Sequence, residues 1–562
     1  MTLQASIKLS NAETVQAEKL SKYIQIDLAS ENETTQNALA GLSVNDRVLF
    51  QRFGVGPVAE PSHRSIHGAI EAQVKTAPKS IAARHLGSRI TYGALNRQAN
   101  HLAAKMAEQG VGPGDAVCLF LRRSIPMLIG ILASLKLGAC YVPQDVAVAP
   151  DEQLRHIAKA VKAKVILTLE CFEDQMPRLA GVTTIAIEAA VREPRSLQPP
   201  SVEVLPDDRC FILFTSGTTG TPNGVQVTHR NLCNILLTEP GSLGIKPGTK
   251  VAHILSIAFD MAAWEILGCL SHGGTLVIRG TDIEEAVRQA DVVIATPSVL
   301  GKCVAENCRN VKTVAVAGEP CPRPLADSWA AFATFYNSCG PTETTIVNTM
   351  LPHSPEAARL TIGVPTPNNT VYILDEDLRP LPIGEVGEMW AGGDCVTAGY
   401  LDNPLLTAER YLADPFLGGG RMMFRTRDLG RWTPEGALEH FGRTDDQVKI
   451  RGFRVELDSV SNALEKTEDC LQAVTLKLDD RNLAAFVRPA SVNSAGARAQ
   501  IEKALPYYCM PSVLLALEAF PMTSRGKIDK RKLLSIAKSE TQPDDKSKFS
   551  SGAKATGKRQ VA

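Results

Sequence analysis

One short stretch, residues 211–229, constrains this chain more than any other part of its sequence. It reads FILFTSGTTGTPNGVQVTH. The four apolar residues 211–214 predict a buried strand, which runs into a loop of small and hydroxylated residues ending at Gly224. Glycines in such a loop let backbone N–H groups approach an anion closely, and hydroxyl groups add donors with little bulk. The stretch therefore predicts a phosphate cradle at the end of a strand.

This loop differs from the Walker type, which needs GxxxxGK[ST] at the start of a helix, whereas Asn223 and Gly224 close the run here. Read alone, a Gly/Ser/Thr cluster could also be an ordinary turn. The stretch resembles the phosphate loop of the adenylate-forming superfamily, TSGTTGxPKG, and within it the adenylation domains of nonribosomal peptide synthetases. The resemblance implies that ATP binds through the loop residues Thr215, Ser216, Gly217, Thr218, Thr219 and Gly220.

Length and charge limit the possible classes of protein. A chain of 562 residues is too long to fold around a single hydrophobic core, so we expect two or more domains. Lys plus Arg and Asp plus Glu both total 60, which gives no overall attraction to nucleic acid or to a membrane. The apolar run 125–135 is too short to span a bilayer and predicts a buried helix. The thirteen cysteines form no CxxC pair, which favours reduced thiols in a cytoplasmic protein.

Strand-like runs alternate with helical patterns over most of the chain, which predicts an α/β fold. We expect a large N-terminal domain of mostly parallel sheets flanked by helices, with a β-subdomain near residues 372–393. A small α+β C-terminal domain follows, and the resemblance implies that it is mobile. The expected boundaries are 1–60 for a flexible leader and linker, 61–444 and 445–538 for the two domains, and 539–562 for a disordered tail.

The motif FDMAAWE, residues 259–265, supplies the candidate substrate site. A carboxylate near a tryptophan is usually structural, but a buried carboxylate needs a cation. The resemblance implies that Asp260 pairs with the α-ammonium of an amino acid substrate and that Trp264 forms a wall of the same pocket. Counting from the matched motifs, the implied pocket is Asp260, Met261, Trp264, Ile294, Ala315, Ala317, Ser338, Ile346 and Val347, with Lys527 at its carboxylate end. This mostly apolar lining favours a bulky apolar side chain.

The motif NSCGPTE, residues 337–343, resembles NxYGPTE. The match assigns Asn337, Cys339 and Gly340 to the nucleotide site. It also implies that Thr342 binds the α-phosphate and that Glu343 binds Mg²⁺, an ion that needs few protein ligands. Cys339 replaces the tyrosine that lies beside adenine, so stacking would be weaker. Taken alone, GPTE would be a turn with a capping threonine.

Two later motifs, FRTRDLGRW and GRTDDQVKIRG, resemble the family's ribose and hinge motifs. The first match implies that Asp428 accepts hydrogen bonds from ribose hydroxyls, and Arg427 stands where the family has glycine. The second implies that Arg443 contacts the nucleotide, that Asp445 is the hinge, and that Lys449 assists the second half-reaction. Without the resemblance, residues 442–452 would be a solvated charge run.

The last motif, PMTSRGKIDKRKL, resembles the terminal family motif that carries the catalytic lysine, here Lys527. The phosphate loop departs from the family at Asn223, where a lysine is expected. Losing one charged hydrogen bond would weaken the attraction to pyrophosphate by about 1–3 kcal/mol. With Cys339 and Arg427, this departure leaves open a catalytically weak scaffold that binds nucleotide or a carrier protein.

The implied reaction has two steps. A substrate carboxylate attacks the α-phosphorus of ATP with Mg²⁺ to form an acyl adenylate, which then passes to the phosphopantetheine thiol of a partner carrier protein. An acyl- or aryl-CoA ligase is the alternative within the superfamily, and Asp260 argues against it because those substrates lack an ammonium group. We recognise no carrier, condensation or reductase segment, so the chain would serve a carrier in trans or be a portion of a larger synthetase. No nucleic acid or membrane partner is expected.

Overall fold

The structure is a computed structural model that describes residues 38–39, 41–192, 201–215, 217, 222–523 and 528–541. Outside the described residues lie most of the expected leader, the expected tail beyond 541, and five of the predicted site residues. These five are Ser216, Thr218, Thr219, Gly220 and Lys527. Within the described part of the chain, no helix is long and apolar enough to cross a membrane. The thirteen cysteines are all free thiols.

A nine-stranded sheet forms one half of the N-terminal lobe, which we define as residues 44–443. Its six central strands are parallel, and antiparallel strands close both edges. In spatial order the strands are Val364–Pro365, Thr349–Pro352, Thr334–Cys339, Thr313–Val316, Val292–Ala295, Lys250–His253, Thr275–Ile278, Ile81–His85 and Ser88–Thr91. Parallel strands buried on both faces read as continuous apolar runs, which is why the sequence revealed them.

A six-stranded sheet forms the other half and carries the phosphate-loop stretch. Its strands in order are Thr183–Ala186, Val165–Thr168, Ala116–Leu121, Cys140–Asp145, Arg209–Thr215 and Asn223–Thr228. All neighbours are parallel except the last two, which are antiparallel and joined by the glycine-rich loop. The predicted buried strand and its loop are therefore confirmed as a hairpin.

Helices cover both sheets. They are Val44–Gly54, Ile66–Thr76, Tyr92–Glu108, Ile125–Lys136, Asp151–Ala160, Ile187–Val191, His229–Leu236, Asp260–Ala263, Cys269–Ser271, Ile283–Val287, Pro297–Leu300, Arg323–Ala330 and Pro404–Arg410, with a π-helical turn at Trp264–Gly268. The predicted buried helix is Ile125–Lys136. Ser124 caps it by accepting the Met127 N–H at 3.2 Å, and nearly every residue from Met127 onward is buried. Its continuous hydrophobicity thus reflects burial between sheet and helices rather than a membrane span.

An antiparallel β-subdomain completes the N-terminal lobe, as the sequence predicted. Its strands are Asn369–Leu374, Gly387–Gly393, Tyr411–Ala413, Met422–Trp432 and Leu438–Arg443. The helix Val44–Gly54 packs on it, with Phe50 stacked on Tyr372 at 5.5 Å and Phe53 tilted against Trp432 at 5.8 Å. Residues 44–54, which the sequence assigned to the leader and linker, therefore form a helix whose apolar side chains pack on the edge of the subdomain core.

The C-terminal lobe, which we define as residues 447–541, has hydrophobic clusters of its own. It begins with a two-stranded hairpin, Gln447–Ile450 and Phe453–Glu456, which we call the lobe hairpin. The helix Leu457–Leu464 follows, then the strands Gln472–Lys477, Leu483–Arg488 and Val513–Ala516 with helices Ser494–Ala504 and Lys530–Thr541. The fold class is therefore α/β with a smaller α+β lobe, as predicted, and the division of the chain at Asp445 stays our proposal.

Candidate active site between the two lobes

The phosphate loop lies where the two lobes meet. It leaves the sheet at Thr215 and returns at Asn223, and these two residues are paired across the hairpin. Gly217 is buried, and its carbonyl accepts a 3.0 Å hydrogen bond from Ser459 Oγ of the C-terminal lobe. The C-terminal lobe therefore touches the backbone of the predicted ATP-binding loop directly.

Asp260 is the first residue of a short helix that follows the central strand Lys250–His253 and its loop. Its Oδ1 accepts the Met261 N–H at 2.8 Å. Burial raises the pKa of Asp260, while a hydrogen bond from Thr342 and the charge of Lys449 act in the opposite direction. Thr342 and Lys449, which were predicted for different halves of the reaction, thus both act on the predicted substrate carboxylate.

Parallel strand register brings four of the predicted pocket residues to one face of the nine-stranded sheet. Ile294 is paired with Ala315, and both Ala317 and Ser338 follow the paired residues at the ends of the next strands. Side chains two apart on a strand share a face, so these four line the same side. Within the described residues, Ser338 Oγ is buried without a hydrogen-bond partner. This face of the sheet is therefore apolar except for the hydroxyl group of Ser338, which has no hydrogen-bond partner among the described residues.

The remaining pocket residues come from two other segments. Trp264 is fully buried, and its Nε1 donates to the Gly241 carbonyl at 2.7 Å. Met261 lies near the end of the central strands, with its sulfur 3.9 Å from where a Cβ on Gly318 would stand. An apolar cavity behind this segment is lined in part by Phe259, Ala262 and Ala263, and by none of the predicted pocket residues.

The segment after NSCGPTE is strained. Thr345 and Ile346 have φ angles of +55° and +70°, a left-handed conformation that a β-branched residue rarely adopts. The chain also turns tightly against itself, because a Cβ on Gly340 would lie 2.6 Å from the Val347 Cα. Such strain is characteristic of functional sites, and here it holds Ile346 and Val347 fully buried beside Ser338.

Glu343, the predicted Mg²⁺ ligand, is completely buried and already paired. Its oxygens accept hydrogen bonds from Arg454 Nη1 at 2.9 and 3.2 Å, and Oε1 also accepts the Tyr400 hydroxyl at 2.7 Å. Burial alone would raise the pKa of Glu343, but the guanidinium of Arg454 outweighs it and lowers the pKa to about 2. In this arrangement of the lobes the residues do not fit a metal ion, because a cation of the protein occupies the carboxylate.

Asp428, predicted to bind ribose, is also buried and occupied. Its Oδ1 lies 2.8 Å from Arg443 Nη1 and 3.2 Å from His440 Nε2. Burial would raise the pKa of Asp428, whereas His440 and Arg443 lower it. Arg443 also makes a two-point contact with Asp445 at 2.8 and 3.0 Å. The predicted ribose, nucleotide and hinge residues therefore form one connected ion-pair network.

Three further predicted residues line the same region. Lys449 lies near both Asp260 and Asp428, and burial lowers its pKa, with Arg454 acting in the same direction. Cys339 lies close enough to Asp428 for that carboxylate to add to the effect of burial, which raises the thiol pKa to about 12. Asn337 is buried and donates to the Thr361 carbonyl at 2.6 Å, a backbone anchor rather than a free polar group.

Four functional candidates were missed from the sequence: His440, Ser459, Tyr400 and Arg454. Tyr400 and Arg454 converge on a residue 57 and 111 positions away in the chain, and no local pattern announces such contacts. A partial signal existed in the alternation of Phe453–Glu456, which places Arg454 and Glu456 on one face of a strand.

Comparison with known proteins agrees with the motifs. A family model described as "AMP-binding enzyme" matches residues 70–401. Adenylate-forming reductase 03009 of Coprinopsis cinerea is 44% identical over 509 residues, which cover 90% of this chain and 49% of that protein. Isonitrile lipopeptide synthase of Mycobacterium tuberculosis is 35% identical over 538 residues, covering 92% and 21%. The chain thus spans about half the length, or less, of these relatives.

Solved structures agree at the level of the fold. A nonribosomal peptide synthetase protein containing adenylation and PCP domains superimposes with a TM-score of 0.76 at 23% identity, covering 85% of each chain. An artificially fused adenylation–PCP di-domain from Klebsiella oxytoca gives 0.72 at 23%, covering 80% of this chain and 93% of that one. The resemblance seen in the motifs is confirmed, and the chain belongs to the AMP-binding enzyme family.

Proposed function

We propose that this protein activates an amino acid as its aminoacyl adenylate, with ATP as the second substrate and pyrophosphate as the leaving product. The observation that carries the proposal is the hydrogen bond from Thr342 to the buried carboxyl group of Asp260, with the charge of Lys449 acting on the same group. Gly217 of the phosphate loop lies at the same junction through its contact with Ser459, and the charge of Lys449 also acts on Asp428. A site with an acid for the substrate and donors for a phosphate suits a reaction that joins the two.

The first step forms one bond and breaks one. A substrate carboxylate oxygen attacks the α-phosphorus, and the bond from that phosphorus to the bridging oxygen of the β-phosphate breaks. Negative charge builds up on phosphate oxygens, so fixed donors lower the barrier without reorganising. We assign the donor role to the loop backbone at Gly217, to the Thr342 hydroxyl, and to Lys527, which lies outside the described residues. Asp428 would hold the ribose once it exchanges Arg443 or His440 for the ribose hydroxyls.

The amino acid as substrate is inferred from Asp260. A buried carboxylate without a cation is costly, and an α-ammonium group would supply one. In the present arrangement the charge of Lys449 also acts on Asp260, so an amino acid would bring a second cation to the same region. The pocket face made by Ile294, Ala315 and Ala317 favours an apolar side chain, and Ser338 Oγ offers one polar contact.

In the second step, a phosphopantetheine thiol would attack the activated carbonyl carbon, forming a thioester and releasing AMP. Two solved structures of similar fold contain adenylation and PCP domains, which supports a carrier protein as partner. The carrier either acts in trans or belongs to the same larger synthetase. Because the cysteines are free thiols, we expect a cytoplasmic location.

An acyl- or aryl-CoA ligase is the second candidate, and one observation favours it. Because the Thr342 hydrogen bond and the charge of Lys449 already act on Asp260, the carboxylate does not by itself require an ammonium group on the substrate. A weakly active scaffold, suggested by Asn223, Cys339 and Arg427, is the third candidate.

Pyrophosphate exchange with matched acid pairs separates the three candidates. Leucine is compared with 4-methylpentanoate and phenylalanine with 3-phenylpropanoate, since each pair differs only in the α-ammonium group. We expect exchange with an amino acid and little with its partner. Exchange only with the acids that lack an ammonium would replace our proposal by the ligase. ATP binding by calorimetry without exchange from any substrate would favour the scaffold.

A further inference from the structure

The lobe hairpin delivers cations to carboxylates of the other lobe. Arg454, on the strand Phe453–Glu456, contacts both oxygens of Glu343, and the charge of Lys449, on the strand Gln447–Ile450, acts on Asp260. These two carboxylates are the ones assigned above to a metal ion and to a substrate ammonium. At Glu343, a side chain of the C-terminal lobe therefore takes the place of the expected metal ion.

The hairpin is firmly seated in this position. A Cβ on Gly452, at its turn, would lie 3.0 Å from Thr296 Oγ1, and Phe453 packs edge-on against Phe259 with centroids 5.2 Å apart. Ser459, on the following helix, donates to the Gly217 carbonyl. Contacts at three separate points of the N-terminal lobe thus hold the hairpin over the phosphate loop.

Glu343 cannot serve two cations at once. It is fully buried, and its nearest donors are Arg454 and Tyr400. Within the described residues, no cluster of three or more His, Cys, Asp or Glu side chains could hold a metal ion. A second cation at a carboxylate already paired with a guanidinium would meet like-charge repulsion in a poorly solvated site.

We propose that Arg454 and a divalent metal compete for Glu343, so that the metal–nucleotide complex binds only when Arg454 has left this carboxylate. The inference rests on the proposed function for the identity of the metal–nucleotide ligand. Arg454 keeps the buried carboxylate paired when no metal is bound, which spares the protein the cost of an unpaired buried charge. The same pairing lowers the apparent affinity for the metal–nucleotide complex, because binding must first displace the arginine.

Calorimetric titration with Mn²⁺–ATP, together with the electron paramagnetic resonance signal of free Mn²⁺, tests this competition without any turnover. Arg454→Gln removes the charge at nearly constant size. We expect it to tighten Mn²⁺–ATP binding by about tenfold, a typical coupling between linked sites. Arg454→Lys, which keeps the charge but loses the planar guanidinium and its reach, should fall between the wild type and the glutamine variant.

Arg451→Gln is the matched control. Arg451 lies at the turn of the same hairpin, but its Nε donates to the Arg481 carbonyl within the C-terminal lobe at 2.9 Å. It should bind Mn²⁺–ATP as the wild type does. If Arg451→Gln and Arg454→Gln tightened Mn²⁺–ATP binding equally, the effect would come from the overall charge of the protein, and the proposed competition would be overturned.

A double-substitution cycle with Glu343→Gln completes the test. In that background, adding Arg454→Gln should change Mn²⁺–ATP affinity by less than about twofold, because the shared carboxylate is gone. Unchanged affinity in Arg454→Gln alone, with a native melting curve, would overturn the inference while leaving the proposed function intact. Failure of the wild type to bind ATP with or without Mn²⁺ would instead overturn the proposed function.

Discussion

Asn403 Nδ2 donates a 3.2 Å hydrogen bond to Asn223 Oδ1, at the point where the phosphate loop returns to the sheet. Asn223 also pairs with Thr215 across the hairpin, so its side chain stands at the mouth of the loop. The neutral residue that replaces the family lysine is therefore tied to a helix N-cap residue, Asn403, rather than pointing free into solvent.

We predict that Asn223→Lys lowers the KM for ATP by about tenfold, because one charged hydrogen bond to a phosphate contributes about 1–3 kcal/mol. Loss of the Asn403 contact should cost about 1 kcal/mol of stability. Pyrophosphate-exchange kinetics and denaturant unfolding measure the two effects. Asn223→Met is the control, since it loses the same contact without adding charge. Equal KM values for ATP in the two variants would show that the added charge does not cause the change.

A second prediction concerns Arg427, which adopts φ = +63° where the resembling motif has glycine. Its guanidinium contacts Glu409 at 2.6 Å and Asp445 at 3.6 Å. Both Arg427→Gly and Arg427→Ala lose these contacts, but only alanine keeps the left-handed strain. We expect the glycine variant to be more stable than the alanine variant by about 1 kcal/mol, the reverse of the usual order. Urea unfolding of the pair gives the difference, and a more stable alanine variant would refute the strain argument.

Much of the architecture could be predicted, because the signals were local. The buried strand before the phosphate loop, the apolar helix Ile125–Lys136 and the alternating strands and helices each follow from residues close in sequence. The shared face of Ile294 and Ala315 could be counted from matched motifs, since parallel strands in register place equivalent positions side by side.

The electrostatic arrangement of the site could not be predicted, because it depends on how the two lobes dock. Arg454 received no role from the sequence, because its partner Glu343 lies 111 positions away in the other lobe. The helix Val44–Gly54 was similarly missed, because Phe50 and Phe53 are sparse apolar residues whose partners belong to a distant subdomain.

A third prediction concerns pH. His229 and His67 are buried with ring centroids 5.4 Å apart, and burial, with His67 as the lesser cause, lowers the pKa of His229 to about 3. Burial likewise lowers the pKa of His67 to about 4. An unfolded histidine takes up a proton near pH 6.5 while the folded one stays neutral. Stability should therefore fall as pH drops below 6.5, by about 1.4 kcal/mol per group between pH 7.5 and 5.5.

The substitution His229→Asn isolates this effect. The Ile66 N–H donates to His229 Nδ1 at 3.3 Å, and an asparagine oxygen can accept the same hydrogen bond without titrating. The variant should lose about 1.4 kcal/mol less than the wild type between pH 7.5 and 5.5. Denaturant unfolding at the two values provides the comparison, and identical losses would show that this imidazole is not the cause.

A fourth prediction tests the substrate acid. Asp260→Asn should weaken activation of leucine by about 2–5 kcal/mol, as for truncating one member of a buried charge pair, with no such loss for 4-methylpentanoate. The ratio of kcat/KM values for the two acids in pyrophosphate exchange is the readout. Asp414→Asn is the control, because Asp414 is also buried and hydrogen-bonded, to Tyr372, but lies in the β-subdomain. An unchanged ratio of kcat/KM values in Asp260→Asn would show that Asp260 does not bind the ammonium group of the substrate.

The last prediction concerns Lys527, whose role rests on the terminal motif. Removing one preorganised donor from a developing negative charge typically lowers the rate by about 10²–10³-fold, so Lys527→Ala should slow adenylate formation by that factor while the melting temperature stays unchanged. Lys530, three residues later, offers a matched control because its Nζ is engaged by Asp446 at 2.8 and 2.9 Å. Exposed ion pairs contribute about 0–1 kcal/mol, so Lys530→Ala should exchange pyrophosphate nearly as the wild type does. Comparable losses in both variants would mean that the segment acts through its fold, and full activity in Lys527→Ala would remove this lysine from the catalytic step.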